Sequence, residues 1–249
     1  MKSIRQSPAA LSAIEVVFED DDIIVLNKPS GLLVLPDRYN LEIPSLQTML
    51  GEKYGRIYVV HRIDRGTSGL IIFAKTVDSH RLLNAQFESR DAEKVYQAIC
   101  IGESRSEEGM IDVPIAEDPK VKGGMRVDRK EGKLSVTAYK VIEQFAAYSH
   151  IEVRPETGRT HQIRVHLSSI GLPILGDLRY GGGESFFLSS IKPTYRSTGE
   201  EKPLLNRTAL HAEKMSITHP TSARRMSFEV PIPKDMRIVL NYLRKFRGR

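Results

Sequence analysis

The chain has 249 residues, of which 40% are hydrophobic and 27% charged, and this composition indicates a globular protein rather than a disordered one. Its single cysteine, Cys100, excludes an intramolecular disulfide and a thiol-rich zinc site, and no apolar run reaches the ~18 residues of a membrane-spanning helix. The net charge of +6 is compatible with an anionic partner such as nucleic acid, although many proteins with so small an excess bind none.

Residues 1–13 form a polar tail without the apolar core of a secretory signal, so the protein is predicted to be cytoplasmic. Two strands are then expected in "AIEVVFEDDDIIVLNK", on either side of an acidic turn. A short helix is expected in "SLQTMLGEKYG", and further strands in "RIYVVHRID" and "GLIIFAKT", the second buried on both faces. A longer helix is predicted over 77–90, because Thr76 is a favourable N-cap and Leu83 and Phe87 are four residues apart.

Strands also dominate the second half of the chain. "KVYQAICIG" alternates, so Tyr96 is expected on the opposite face from Val95. "GKLSVTAYKVIEQF" and "YSHIEVRPETG" predict a pair of strands, and "LLNRTALHAEKMSITHP" and "RRMSFEVPIP" predict the last two. Residues 181–206 are rich in Gly, Ser, Thr and Pro, which indicates a long surface loop of unassigned role. An amphipathic helix from about residue 234 closes the chain.

A short helix is predicted in "THQIRVHLSSIG", beginning at Thr160 and ending at Gly171. Its residues divide between an apolar side, with Ile163, Leu167 and Ile170, and a polar side, with His161, Arg164 and Ser168.

These elements place the chain in the α+β class, with a mixed, mostly antiparallel central sheet flanked by helices. The helices are irregularly spaced among the strands, which argues against a strict βαβ repeat. No internal repeat or linker divides residues 14–249, so we expect them to form one domain.

Several motifs that would indicate a cofactor do not occur in the sequence. The phosphate-binding patterns GxxxxGK[ST] and GxGxxG are absent, as are the zinc motif HExxH and the nucleophile elbow GxSxG. His161 and His166 are five residues apart, which places them on different faces of their helix. We therefore expect a protein that works without a nucleotide cofactor or a metal.

The stretch "HRIDRGTSGL" places the carboxylate of Asp64 between two arginines, Arg62 and Arg65, just before a Gly-Thr-Ser-Gly turn. An ion pair or a turn cap would explain this arrangement. A nucleophile kept ionised for chemistry on an anionic substrate would also explain it, but this stretch alone favours the structural explanation.

Four stretches resemble RluA-type RNA pseudouridine synthases, and they occur in that family's order. They are "HRIDRGTSGLIIFAKT", "KVYQAICIG", "RPETGRTHQIRVHLSSIGLPILGD" and "LHAEKMSITHP". "NKPSGLLVLP" and "FEVPIPKD" fit the same family. The resemblance extends from about residue 15 to the last residue, and it implies the family's catalytic fold without the small N-terminal RNA-binding module that many members carry.

The resemblance implies isomerisation of selected uridines to pseudouridine in structured RNA, either ribosomal or transfer RNA. It assigns the essential carboxylate to Asp64, the ring that stacks on the target base to Tyr96, and the cation that pairs with the carboxylate to Arg164, beside Ile163. Arg62 matches the arginine that enters the RNA stack after the base has left. Whether Asp64 attacks the anomeric carbon or removes the 2′ proton stays open.

Elementary chemistry agrees with these roles. Glycosidic cleavage builds positive charge on the sugar, which a carboxylate can stabilise or attack. Hydrolytic glycosidases use two carboxylates, whereas this sequence offers one candidate, which favours a reaction that retains the base and excludes water. Extruding a uridine costs a few kcal/mol, and stacking on an aromatic ring returns ~1–3 kcal/mol. We expect structured RNA as the partner, with no membrane and no small-molecule cofactor, and a monomer suffices.

Each assigned residue also has a structural interpretation. Asp64 could form an ion pair, Tyr96 could pack in the core, and Arg164 could be a solvated cation of a helix. Two other functions therefore stay open, namely an RNA-binding protein that has lost its chemistry and a carboxylate-dependent glycosidase. The joint presence of Asp64, Tyr96 and Arg164 counts against the first, and the missing second acid counts against the second.

Overall fold

The computed structural model describes residues 11–192, 194–196 and 199–248. Its strands and helices follow in chain order as β1 Glu15–Glu19, β2 Ile23–Lys28, α1 Leu46–Tyr54, β3 Tyr58–Val59, β4 Ser68–Ala74, α2 Val77–Ser89, β5 Glu93–Ile101, β6 Glu108–Asp112, β7 Ile115–Glu117, β8 Met125–Val127, β9 Val136–Phe145, β10 Tyr148–Pro155, α3 Gln162–Ser169, β11 Leu210–Thr218, β12 Arg225–Glu229 and α4 Lys234–Arg247. Within these ranges, no helix has the length and apolar character that a membrane crossing requires.

The chain divides into two compact units. Unit 1 comprises Met1–Ala92 and Lys214–Val230, and unit 2 comprises Glu93–Glu213 and Pro231–Arg249. Each unit is therefore built from two separate stretches of the sequence. The prediction of a single domain over residues 14–249 stays a prediction. Of the predicted polar tail, residues 1–10 lie outside the described part of the chain, and Leu11–Ala13 form a 3₁₀ turn.

Unit 1 is organised around β4, whose seven residues are all buried, as its continuous apolar sequence predicts. β2 pairs with β4 in antiparallel register from Ile23 opposite Ala74 to Lys28 opposite Gly69, and β1 pairs with β2 on the outside. α2 begins at the predicted cap, since the Oγ1 of Thr76 accepts the amide of Ser79 at 3.1 Å. The unit's core then contains apolar residues of β2, β4, α2, β11 and β12.

Unit 2 contains four antiparallel strands in the order β5, β10, β9 and β6, with Tyr96 opposite Val153 in the first pair. β9 and β10 are joined by a tight turn that places Ala147 at a φ of 67°. β7 and β8 form a separate two-stranded hairpin. α4 starts as predicted and buries Met236, Val239, Leu240 and Leu243, whereas Phe246 is only half-buried.

Two predicted boundaries are wrong. The strand expected in "RIYVVHRID" is only Tyr58–Val59, because the Nε2 of His61 accepts the amide of Ile72 at 3.2 Å in place of a strand partner. The short helix begins at Gln162 rather than at Thr160, and its N-cap His161 has a left-handed φ of 55°. Its end is as expected, since Gly171 takes the left-handed conformation with a φ of 80°.

The segment 181–206 is not simply a surface loop. Phe186, Ile191 and Leu205 are exposed by only 3%, 1% and 2%, and the Phe186 amide donates to the Leu205 carbonyl at 2.8 Å. The prediction of a surface loop is wrong for these three apolar residues, because it rests on the polar composition of the segment as a whole. Residues 193, 197 and 198 of this segment lie outside the described residues.

Candidate active site

Asp64 and Arg62 lie in unit 1, in the irregular connection from β3 to β4. Asp64 is half-buried and Arg62 is exposed. The Asp64 carbonyl accepts the amide of Thr67 at 3.1 Å, which closes the turn that leads into β4. The carboxylate is therefore carried on a tight turn that leads directly into the fully buried β4.

Lys28, at the end of β2, anchors this turn. Its side chain is fully buried, and its Nζ donates to the carbonyls of Pro29 at 3.0 Å, Leu32 at 2.8 Å and Arg65 at 3.3 Å. A buried amine is costly unless it is hydrogen-bonded, and here three carbonyls satisfy it. Lys28 thus fixes the carbonyl of the residue that follows Asp64.

Three further hydrogen bonds join the same two segments. The amide of Gly31 donates to the Arg65 carbonyl at 2.7 Å, and the Nε of Arg65 donates to the Gly31 carbonyl at 2.9 Å. The Oγ of Ser30 donates to the Gly66 carbonyl at 2.8 Å. The "NKPSG" stretch is thus the support on which the Asp64 turn rests.

We expect Lys28→Met to lower the free energy of unfolding by about 1–3 kcal/mol, because Met fills the space but removes the amine that donates to the carbonyls of Pro29 and Leu32. The turnover of any Asp64-dependent reaction should fall as well, since the turn loses its anchor. Urea unfolding and single-turnover kinetics measure the two effects. Lys140→Met, at an exposed lysine of β9, is the matched control. Equal stability and turnover in the two variants would show that Lys28 does not anchor the Asp64 turn.

Arg164 and Ile163 lie on α3 in unit 2, on different sides of the helix. Ile163 is buried, with 7% exposure. The Nε and Nη2 of Arg164 donate to the two carboxylate oxygens of Asp177, at 2.6 and 2.8 Å. The side chains of Arg164 and Asp177 are only 12% and 1% exposed, so Arg164 is a held cation and not a solvated one.

Two glycines set the position of Asp177. The amide of Gly182 donates to the Asp177 carbonyl, and the amide of Gly176 donates to the Gly182 carbonyl, both at 2.8 Å. A Cβ on Gly182 would lie 1.6 Å from the carbonyl oxygen of Ile174, and one on Gly176 would lie 2.0 Å from that of Arg207. The turn around Asp177 therefore requires glycine at both positions.

Tyr180 joins the predicted polar side of α3. The guanidinium carbon of Arg164 lies 4.9 Å from the centre of its ring, and the Nδ1 of His161 lies 2.7 Å from its hydroxyl. The Oγ of Ser168 donates to the Tyr180 carbonyl at 2.9 Å. The prediction that His161, Arg164 and Ser168 lie on one side of the helix is thus confirmed. All three contact the same residue, Tyr180.

Tyr96 lies in the middle of β5 in unit 2 and is buried, with 8% exposure. Val95, on the opposite face as predicted, is 9% exposed, so both faces of β5 are covered. The ring to which the resemblance assigns base stacking is therefore a largely buried side chain in the middle of a strand.

The histidines near these elements have structural partners. The Nδ1 of His166 lies 2.9 Å from the Oγ1 of Thr137, and its Nε2 lies 3.0 Å from the Val113 carbonyl. His166 is fully buried, and this burial lowers its pKa. His61 accepts the Ile72 amide and stacks on Phe87 at 4.7 Å. These rings orient neighbouring elements.

One group in the described ranges has side chains of the types that bind metals. Asp20, Asp22 and His219 place ligand atoms within 4.8 Å of one another. The Nδ1 of His219 accepts the amides of Thr221 and Ser222, at 3.3 and 3.1 Å, so its proton is on Nε2, which lies 2.8 Å from Asp20. This imidazole is already committed to holding the β11–β12 turn against the β1–β2 turn.

The β7–β8 hairpin and the chain just after it carry an exposed cluster of six basic residues. This cluster, called the basic hairpin below, comprises Lys120, Lys122, Arg126, Arg129, Lys130 and Lys133. Asp128, at its base, pairs with Arg126 at 2.7 Å and accepts two backbone amides. Unit 2 thus carries six exposed basic residues on and just after this hairpin, interspersed with Glu117, Asp118, Asp128 and Glu131.

Sequence reasoning assigned no role to Lys28, Asp177 or Tyr180. Each lies inside or next to a quoted motif, since Lys28 belongs to "NKPSG" and Asp177 ends "GLPILGD". An acidic residue at the end of an otherwise apolar run is a signal that it has a buried cationic partner.

The profile of the family described as RNA pseudouridylate synthase matches residues 22–169. The chain is 40% identical over 240 residues to Ribosomal large subunit pseudouridine synthase D of Pseudomonas aeruginosa, covering 94% of this chain and 73% of that protein. It is 39% identical over 241 residues to the protein of the same name from Neisseria meningitidis serogroup A, covering 95% of this chain and 63% of that one.

The solved structure of Human RNA Pseudouridylate Synthase Domain Containing 4 is similar to this chain, with a TM-score of 0.69, 25% sequence identity and 92% coverage of both chains. The predicted α+β fold, with its mostly antiparallel sheet, is thereby confirmed. The chain belongs to the RNA pseudouridylate synthase family.

Proposed function

We propose that this chain isomerises specific uridines of ribosomal RNA to pseudouridine. The observation that carries the proposal is the turn at the half-buried Asp64, whose backbone is held by the buried Lys28 and the "NKPSG" support. Its relatives are named as synthases of the large ribosomal subunit, which favours ribosomal over transfer RNA.

The family resemblance assigns the steps. Asp64 acts on the ribose of an extruded uridine, either at the anomeric carbon or at the 2′ proton. The uracil then separates, turns and forms a carbon–carbon bond to the same sugar. Tyr96 stacks on the base during this rotation, and Arg62 fills the gap in the RNA stack. No metal or small-molecule cofactor is part of the proposal.

Arg164 supplies the cation of the proposed mechanism. The Asp177 carboxylate binds its Nε and Nη2, so the direction of the guanidinium plane is set before substrate arrives. Its Nη1 is not part of that pair. A cation that is already held in place does not have to reorient when charge develops during the reaction. The support for Arg164 is therefore that it is oriented rather than solvated.

The basic hairpin is the proposed contact for RNA phosphates. Its six cations are exposed, which suits contact with several phosphates, although the same stretch also carries the acidic residues Glu117, Asp118, Asp128 and Glu131. Binding that depends on such contacts weakens steeply as salt is added, because each neutralised phosphate releases a counterion. We further propose that the enzyme works in the cytoplasm as a monomer.

Mapping pseudouridines in total RNA from cells with and without this gene tests the proposal. We expect one or a few uridines of the large-subunit ribosomal RNA to lose their modification in the deletion strain and to regain it when the gene is restored. Purified protein should convert the same positions in a transcript. If pseudouridines were lost only from transfer RNA, transfer RNA and not ribosomal RNA would be the substrate. An unchanged pseudouridine map together with an inactive purified protein would refute the proposed activity.

A further inference from the structure

Tyr180 makes three different contacts, each with a separate part of unit 2. Its ring lies under the guanidinium of Arg164, 4.9 Å from the centroid. Its hydroxyl lies 2.7 Å from the Nδ1 of His161 and accepts the backbone amide of Met125 at 2.9 Å. Met125 is the first residue of β8, in the middle of the basic hairpin. One side chain thus touches both the hairpin and the predicted catalytic arginine.

The hydroxyl is suited to bridge these elements. A phenol oxygen can accept two hydrogen bonds and donate one, so it can serve the Met125 amide and His161 together. Burial raises the pKa of Tyr180 above its ordinary value of 10.0, so the group keeps its proton at neutral pH. Replacement of the hydroxyl by hydrogen would leave the Met125 amide without this acceptor.

A second contact strengthens the attachment of the hairpin. The Nη1 of Arg179, the residue before Tyr180, donates to the Lys122 carbonyl at 3.1 Å. Arg179 and Tyr180 therefore bind the backbone of the hairpin at two points, position 122 in its loop and position 125 at the start of β8. The Tyr180 backbone is itself held to α3 by the Oγ of Ser168, at 2.9 Å.

The other end of the link is a strained residue. His161 has a left-handed φ of 55°, which costs a non-glycine residue of order 1 kcal/mol or more and persists only when its surroundings hold it. The Tyr180 hydroxyl is one of the groups that hold it, and its ring packs edge-on against the imidazole at 5.6 Å. Arg164 follows three residues later on the same side of α3. The Tyr180 ring thus packs against both Arg164 and His161, and a phenylalanine at this position would keep both ring contacts.

We propose that Tyr180 is a positioning residue that ties the basic hairpin to Arg164, so that one side chain supports the hairpin and also, together with Asp177, the orientation of the guanidinium. The expected effect on catalysis rests on the proposed function. The structural part of the inference, the coupling of Met125 to the hydroxyl, stands independently of the reaction. The ring serves Arg164 and the hydroxyl serves the hairpin, so the two parts can be removed separately.

Two substitutions at Tyr180 separate the parts. Tyr180→Phe keeps the ring and removes the hydroxyl, so KM for a ribosomal RNA transcript should rise about three- to tenfold while kcat stays within twofold. Tyr180→Leu also removes the ring beneath Arg164, so kcat should fall about tenfold or more in addition. A merely structural role would lower the yield of folded protein without separating KM from kcat in this way.

Amide hydrogen exchange of Met125, followed by NMR in the free protein, provides a readout that needs no activity. Tyr180→Phe should speed this exchange at least threefold. Tyr242→Phe, at a half-buried tyrosine of α4 stacked on Phe246, is the matched control and should change neither KM nor exchange.

The inference is overturned if Tyr180→Phe leaves both KM and Met125 exchange at wild-type values, or if it lowers kcat as much as Tyr180→Leu does. An inactive wild-type protein would instead overturn the proposed function, and the exchange of Met125 would still decide whether Tyr180 holds the hairpin.

Discussion

Asp64→Asn is expected to lower pseudouridine formation by about 10⁴-fold or more while RNA binding stays within about twofold of wild type. Asn has the shape of Asp but no charge, so it can neither attack the sugar nor accept its proton. The Asp64 carbonyl accepts the amide of Thr67, and Lys28 and Gly31 bind the carbonyl of Arg65, so this backbone support does not depend on the charge of the Asp64 side chain.

Single-turnover conversion of a ribosomal RNA transcript, together with a binding titration at fixed salt, measures both quantities. Asp21→Asn, at an exposed aspartate of the β1–β2 turn, is the matched control and should be fully active. Normal turnover by the Asp64 variant would exclude this carboxylate from the mechanism. Loss of binding and turnover together would show that the substitution disturbs RNA binding and not only the chemistry.

The second large effect is expected at Asp177, and it concerns stability. Removing one partner of a buried ion pair leaves the other charge uncompensated, at a cost of about 3–5 kcal/mol. In Asp177→Asn the amide nitrogen must face either the Nε or the Nη2 of Arg164, so a donor meets a donor where the carboxylate accepted both. We expect the free energy of unfolding to fall by about 3 kcal/mol.

Urea unfolding followed by circular dichroism measures this loss. Glu152→Gln is the control, because Glu152 forms an exposed pair with Arg154 at 2.8 Å, and such pairs contribute at most about 1 kcal/mol. Asp177→Asn should also lower kcat, since Arg164 loses the group that orients it. A variant as stable as the control would show that the Arg164–Asp177 pair adds nothing to the fold.

Local signals predicted much of the fold. Thr76 is a cap residue in the sequence and caps α2 in the structure, and the continuous apolar run at 70–74 is buried throughout. The boundaries near the site could not be read in the same way. The strand before Asp64 ends early because the imidazole of His61 bonds to Ile72, eleven residues away, which no local pattern indicates.

The parts of the candidate site that sequence reasoning missed are those that depend on pairing. Lysine is a residue type normally expected at the surface, and the three carbonyls around the Nζ of Lys28 help to explain its burial. Asp177 and Tyr180 are separated from Arg164 by 13 and 16 residues, and a turn of two glycines brings them back to α3. The resemblance to the family supplied roles for Asp64, Tyr96 and Arg164, which stay proposals.

The divided sequence of unit 1 has a consequence for its synthesis on the ribosome. Its core unites Ile23 and Val25 near the start of the chain with Met215, Ile217 and Phe228 near the end. The first 92 residues therefore emerge long before the residues that complete their core are translated. A nascent chain must keep this apolar surface from aggregating until Phe228 has been translated, so a stop codon before position 215 leaves unit 1 without part of its interior.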